Sequence, residues 1–120
     1  MPAINSDTMT SGFIYDPHYR TQCISINAQA AAVPRGTIVC VKATADGTFD
    51  VIGASSGAYA VPYGVLLNDT PANAAAQAAD VIVLGGLFKD YVNDVYKAAN
   101  SADLTAPIIV ALRNVGIVLK

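Results

Sequence analysis

The run Gly53-Ala54-Ser55-Ser56-Gly57 matches the G-x-S-x-G pattern of a nucleophilic serine. That chemistry needs a strand-to-helix turn that exposes the Ser and a His that takes its proton. The single His of the chain, His18, lies upstream, and no helical pattern follows Gly57. The run is therefore read as a small-residue loop. His18 sits in Asp16-Pro17-His18-Tyr19, where an Asp and a His could share a metal. No second His exists, and Cys23 is not at zinc-finger spacing, so a solvated or interface His is expected. Asp90 and Asp94 would share one face of a helix, as paired carboxylates do in acid–base catalysis. Nothing in the sequence indicates a burial that would raise either pKa, so solvated side chains are expected. Gly85-Gly86 lacks the further glycines and the Lys of a phosphate loop and reads as a strand terminator. The residues thus predict no enzyme, no catalytic set, no metal and no cofactor.

Composition points the same way. The chain has 120 residues, enough for one domain with a modest core. Hydrophobic residues make up 53% and charged residues 13%, against about 25% charged in an average protein. So few charges leave apolar surface uncovered, and contiguous apolar surface usually belongs to a partner. All nine acidic residues are Asp, which favours turns and caps over helix interiors. The net charge of -2, with no run of Lys or Arg, argues against direct nucleic-acid binding. The opening MPAINSDTMT has neither the basic start nor the apolar stretch of a secretory signal. No segment approaches the ~20 apolar residues of a membrane span. A cytoplasmic product is expected, with Cys23 and Cys40 as free thiols.

The elements that must position these residues read mostly as strands. Residues 1–20 show no period, yet hold Ile4, Phe13, Tyr15 and Tyr19, more than a solvated tail needs. Cys23-Ile24-Ser25-Ile26 alternates weakly as a strand. Residues 28–33 are small and apolar and read as a linker. The runs 37–44 and 48–52 flank Asp46-Gly47, the strongest short hairpin signal. Val39, Val41 and Ala43 would line one face, with Phe49 and Val51 packing across the ribbon. Residues 62–67 read as a strand, with a bulge or close approach expected at Gly64. Residues 71–80 admit two readings, a helix capped by Thr70 with Pro71 at its first position, or a bridging loop. Val81 to Leu84 is a continuous apolar strand. Phe88, Tyr91, Val92, Val95 and Tyr96 then recur at helical spacing. Thr105 and Pro107 start a helix running to about residue 114, and residues 116–119 form a last strand.

The order of four segments carries a further signal. PRGTIV (34–39), YGVLLNDT (63–70), VIVLGGLF (81–88) and ALRNVGIVLK (111–120) follow one another along the chain. Together they resemble the phage head decoration, or capsid cement, proteins of the lambda-like type. Those share a small-residue start, a G-[IV]-L strand, a V-x-V-L-x-G-x-F strand, and a short helix leading into a terminal GI strand. The resemblance implies a mostly β, β-clip-like small α+β domain over 23–120, with one short C-terminal helix. It also implies an extended N-terminal capsid-binding arm over 1–22. It makes the stretch from Phe88 to about residue 98 an extended segment and loop in place of the helix above. Residues 71–80 and 90–103 depart from the family's usual pattern.

The implied function is structural. A homotrimer would sit at local three-fold positions on the outer capsid surface of a virion assembled in the host cytoplasm. It would stabilise the shell against the pressure of packaged DNA. The arm would add a strand to the major capsid protein, with Ile4, Phe13, Tyr15 and Tyr19 filling adjoining pockets. Two other readings remain open. One is a small β-domain enzyme subunit or ligand-binding protein with a pocket of Tyr59, Tyr63 and Phe88. The other is a trimeric tail or baseplate component.

Overall fold

The computed structural model describes residues 12–54 and 58–120. In chain order the elements are β1 (Arg20–Ile26), β2 (Ile38–Lys42), β3 (Asp50–Val51), β4 (Tyr59–Leu66), β5 (Gln77–Leu87), α1 (Lys89–Asn100), α2 (Ala106–Val115) and β6 (Ile117–Leu119). The protein is mostly β, as the composition predicts, with a short helix before the last strand. The strands lie in the order β1-β5-β4-β2-β3, and β6 pairs with β5. Every pairing is antiparallel except β5 with β6. Beyond β3 the sheet curls back towards β1. Ile26 bridges Phe49, and the Asn27 N–H donates to the Phe49 carbonyl at 2.9 Å. The result is a half-barrel with a core on each face.

Alternation along the strands separates the two cores. Ile38, Cys40, Val65, Ile82, Leu112 and Ile117 meet on the face covered by the helices. Val39, Leu66, Val81, Ile24 and Ile26 meet on the concave face. Phe49 and Val51 pack beside Val39 there, as the hairpin reading requires. Gly64 is a close approach as expected: a Cβ there would lie 2.7 Å from the Ile82 carbonyl oxygen. The β2–β4 register shifts at the same place, passing from Val39↔Gly64 to Cys40↔Pro62. The resulting bulge leaves Tyr63 pointing to the concave side, where it stacks edge-on against Phe49 at 4.8 Å.

Several expectations are corrected. Residues 71–80 form no helix, because their backbone groups bond elsewhere. Thr70 and Val33 exchange N–H···O bonds at 2.7 and 2.8 Å, and Asn73 and Gln29 exchange two at 3.0 Å. Those bonds extend the chain into β5, and they tie down the segment read as a linker. Asp46-Gly47 does not make a two-residue turn. Asp46 Oδ1 accepts the Thr48 N–H and hydroxyl at 3.1 and 2.6 Å, and Ala45 takes a positive φ of 50°. A wider connection results, and the Thr48 bonds hold the Asp46 carboxyl below its ordinary value. Of the two readings for the stretch after Phe88, the helix is correct. α1 buries Val92 and ends at Ser101 in the left-handed region, whose N–H donates to the Lys97 carbonyl. α2 starts after Thr105 with Pro107 in its first turn and stops at Gly116.

Gly85-Gly86 does not end its strand. β5 passes through the pair to Leu87. A register shift opposite Arg20 and Thr21 adds one residue to β5. Ile82 and Leu87, five positions apart, therefore both face the helix-side core. Residues 13–19 lie across the glycine pair. A Cβ at Gly86 would overlap the Tyr15 ring, and one at Gly85 would lie 2.7 Å from the Tyr19 Cβ. Backbone bonds fix this strap, from the Tyr15 N–H to the Gly86 carbonyl and from the Phe88 N–H to the Phe13 carbonyl.

The domain boundary at residue 22 is corrected by the same packing. Phe13 and Ile14 are completely buried, and Arg20–Ile26 is a sheet strand. Phe13 stacks on Tyr91 at 4.8 Å, and the Arg35 guanidinium covers both rings. The folded domain thus includes residue 13 onward. Phe13→Ala should cost about 3–5 kcal/mol, and Gly86→Ala about 1–3 kcal/mol by forcing Tyr15 off the strand. Urea denaturation of both variants checks this; a loss below about 1 kcal/mol for Phe13→Ala would contradict the placement.

Candidate interaction surface

Past the bulge, the residues of β5 that alternate with Leu87 face outward. Leu84 and Phe88 flank Gly86 on that side, and Val118 of β6 pairs with Gly86. Tyr15 lies over Gly86 and meets Phe88 edge-on at 5.6 Å. The Lys120 ammonium stands 5.2 Å from the Tyr15 ring. At the other end Leu84 reaches Gly116, next to Val115. A continuous strip results, running Val115, Leu84, Val118, Tyr15, Phe88. Its members Leu84, Phe88, Val115 and Val118 are 37–45% exposed and account for four of the six exposed large apolar side chains among the described residues.

The strip is built on firm ground. Ile14, Leu87 and Ile117 lie directly behind it and are fully buried. Lys89 donates its N–H to the Lys120 carbonyl, and Lys120 donates to Leu87, so the last residues are clamped to the start of α1. An apolar surface on a rigid support loses little conformational freedom when it docks, which favours association.

The residues expected to bind a partner fall in different places. Tyr15 is half-buried and belongs to the strip. Tyr19 packs against the helix-side core, and Phe13 lies inside that core. Ile4 is outside the described residues. A fully buried Phe13 cannot fill a partner's pocket without unfolding its own, so this residue is corrected from partner contact to core. The pocket expected from Tyr59, Tyr63 and Phe88 does not form. The Tyr59 hydroxyl bonds Asn27 and Thr48 at 2.9 Å. Tyr63 packs on the concave face and bonds Gln22 through its hydroxyl. Phe88 lies on the strip. A cavity of about 420 Å³ exists elsewhere, lined by Ala31, Pro34, Ile52, Val95, Tyr96 and Ala99 among others.

The residues with chemical potential sit apart. His18 is exposed, its N–H donating to Asp16 Oδ1 at 2.9 Å. Asp90 and Asp94 are exposed on α1. Ser55, the centre of the G-x-S-x-G match, lies outside the described residues. Among the described residues no cluster of three or more His, Cys, Asp or Glu could hold a metal ion. None of their helices is long and apolar enough to cross a membrane. Asp50 is buried and satisfied, accepting from Gln29 Nε2 and the Val51 N–H, both at 2.7 Å.

Sequence reasoning missed Leu84, Val115 and Val118 and assigned Phe88 to a pocket. The available signal was a line of apolar residues on both sides of a glycine pair, but reading Gly85-Gly86 as a stop hid it. The chain matches no known family model, and a search of curated proteins finds no match to it.

The two thiols differ in environment. Cys23 is exposed on β1, while Cys40 is buried, which pushes its thiol up to about 12 from an ordinary 9.0. One thiol per chain should react with a thiol reagent in the native protein and two after denaturation. Above pH 9 the unfolded thiol ionises first, so the contribution of Cys40 to stability should fall as pH rises towards 12. Melting of wild type against Cys40→Ala through that range checks the sign; a wild type that gains stability relative to the variant would contradict it.

Proposed function

We propose that this protein is a non-enzymatic capsid decoration protein, a homotrimer that docks on the outer surface of a phage head and stabilises it. The observation that carries the reading is the exposed strip of Val115, Leu84, Val118, Tyr15 and Phe88 on a rigid sheet. A small, charge-poor domain that leaves such a strip in water gains by covering it. The ordered series of motifs over 34–119 supports the same reading, and so does the mostly β architecture.

In this reading the major capsid protein covers the strip. Tyr15 remains a contact residue. Phe13 and Tyr19 act indirectly, by seating Tyr15 over Gly86. Phage genes flanking a decoration protein encode head components, so the genetic neighbourhood offers an independent check. The ligand-carrier reading has one observation in its favour, the 420 Å³ cavity. A dye or fatty-acid displacement signal abolished by Ala99→Trp would favour it.

Two measurements test the proposal. Sedimentation at micromolar concentration should give about three chains; a clean monomer would count against it. Each strip side chain, if buried on docking, contributes about 1.5–3 kcal/mol. Leu84→Ser and Phe88→Ser should therefore each weaken co-sedimentation with expanded, undecorated capsids about tenfold or more. Deleting residues 2–11 should leave a folded protein, whereas deletion through residue 20 should not. Undiminished capsid binding by both Ser variants would refute the assignment of the strip.

A further inference from the structure

The cations of the chain are distributed unevenly. Lys42 pairs with Asp46 and Lys97 with Asp103, each at under 4 Å. Arg35 bonds the Tyr91 hydroxyl at 2.7 Å. The other four, Arg20, Lys89, Arg113 and Lys120, have no carboxylate partner among the described residues, and all four are exposed.

The backbones of these four lie beside the strip. Arg20 is opposite Leu84 in the β1–β5 register. Lys120 stands over Tyr15, and the Lys89 N–H bonds the Lys120 carbonyl. Arg113 lies in the last turn of α2, its carbonyl accepting the Gly116 N–H at 3.0 Å beside Leu84. The protein is net negative, yet this end presents an apolar centre with a positive rim. Two acids lie nearby, Asp90 in the first turn of α1 and Asp16 next to Tyr15, against the four cations.

We infer that the strip docks an acidic partner segment, a polypeptide surface whose apolar side chains fill the line from Leu84 to Phe88 while its carboxylates meet Arg20, Lys89, Arg113 and Lys120. Charge complementarity selects the occupant. A neutral apolar partner would leave four cations beside a dry interface, at a desolvation cost with no compensating charge. A second copy of the same strip would set like charges against each other. A nucleic acid would meet the cations and could stack on Tyr15 and Phe88. It would leave Leu84, Val115 and Val118 against phosphate or sugar, where aliphatic side chains gain little. The inference deepens the docking reading above by fixing the chemistry of what the strip contacts.

The probe is a short synthetic peptide alternating Asp and Leu, labelled for fluorescence anisotropy. A Lys–Leu peptide of equal length and an oligothymidylate serve as comparisons. The Asp–Leu peptide should bind, and more weakly as salt rises. The double variant Arg20→Glu/Lys120→Glu should lose at least about tenfold in affinity for it. Both substituted side chains are exposed, so an unchanged melting temperature accompanies the loss. Leu84→Ser should weaken binding at constant salt slope. No binding of the Asp–Leu peptide, equal binding of the Lys–Leu peptide, or indifference to the charge reversal overturns the inference. Tighter binding of oligothymidylate overturns it in favour of nucleic acid. A protein that binds the acidic peptide yet ignores undecorated capsids would keep this inference and refute the decoration reading alone.

Discussion

The seating of Tyr15 and Tyr19 on Gly85-Gly86 is the contact on which the rest of the molecule depends. Only a strand without side chains at those two positions lets another segment lie flat across it. With the strap in place, Phe13 and Ile14 reach the helix-side core, and Leu87 and Ile117 are sealed behind them. β5 then serves three neighbours along its length. β1 pairs with seven of its first eight residues, β4 meets its middle, and β6 joins at the end. A residue with a Cβ at position 86 would push Tyr15 away, open that core and remove the aromatic centre of the exposed strip together.

Much of the architecture was legible because strand signals are local. The alternation in 37–44, the apolar run from Val81, the terminal strand and the α2 start all follow from neighbouring residues. Gly64 was legible as a close approach, since a glycine inside an apolar strand has few other uses. The departures arise where a competing partner takes the groups that the expected element would use. Thr70 and Pro71 have the residue types of a helix start, but Val33 and Gln29 take the backbone groups that a helix would use. Asp46-Gly47 suits a tight turn, but Thr48 captures the Asp46 carboxylate and widens the connection. The first competitor lies in a distant segment and is invisible to local pattern, whereas the Asp46–Thr48 contact spans two residues and is a local turn signal that the Asp-Gly pair overshadowed.

The surface was less legible than the fold, for a reason rooted in the same strand. Phe13, Tyr15 and Tyr19 stand out in a polar stretch and invite one common role. The irregular path of residues 13–19 across Gly85-Gly86 divides them, with Phe13 inward, Tyr19 against the core and Tyr15 over Gly86. The exposure of Leu84 and Val118 depends on the extra residue in β5, a register detail that no local pattern encodes. The clustering of Arg20, Lys89, Arg113 and Lys120 is likewise invisible in a chain where they are spread across a hundred residues. It appears only when β1, the start of α1, the end of α2 and the residue after β6 meet at one end of the sheet.

Low charge, a rigid apolar strip and the cations beside it are the features on which the proposed docking rests. Hydroxyl-radical footprinting reads side-chain exposure directly, on the free protein and on the protein bound to expanded, undecorated capsids. The account predicts that oxidation of Tyr15, Leu84, Phe88 and Val118 falls sharply on binding, while Val61, exposed on β4 away from the strip, stays reactive. Unchanged oxidation of the four strip residues on fully decorated capsids would contradict it.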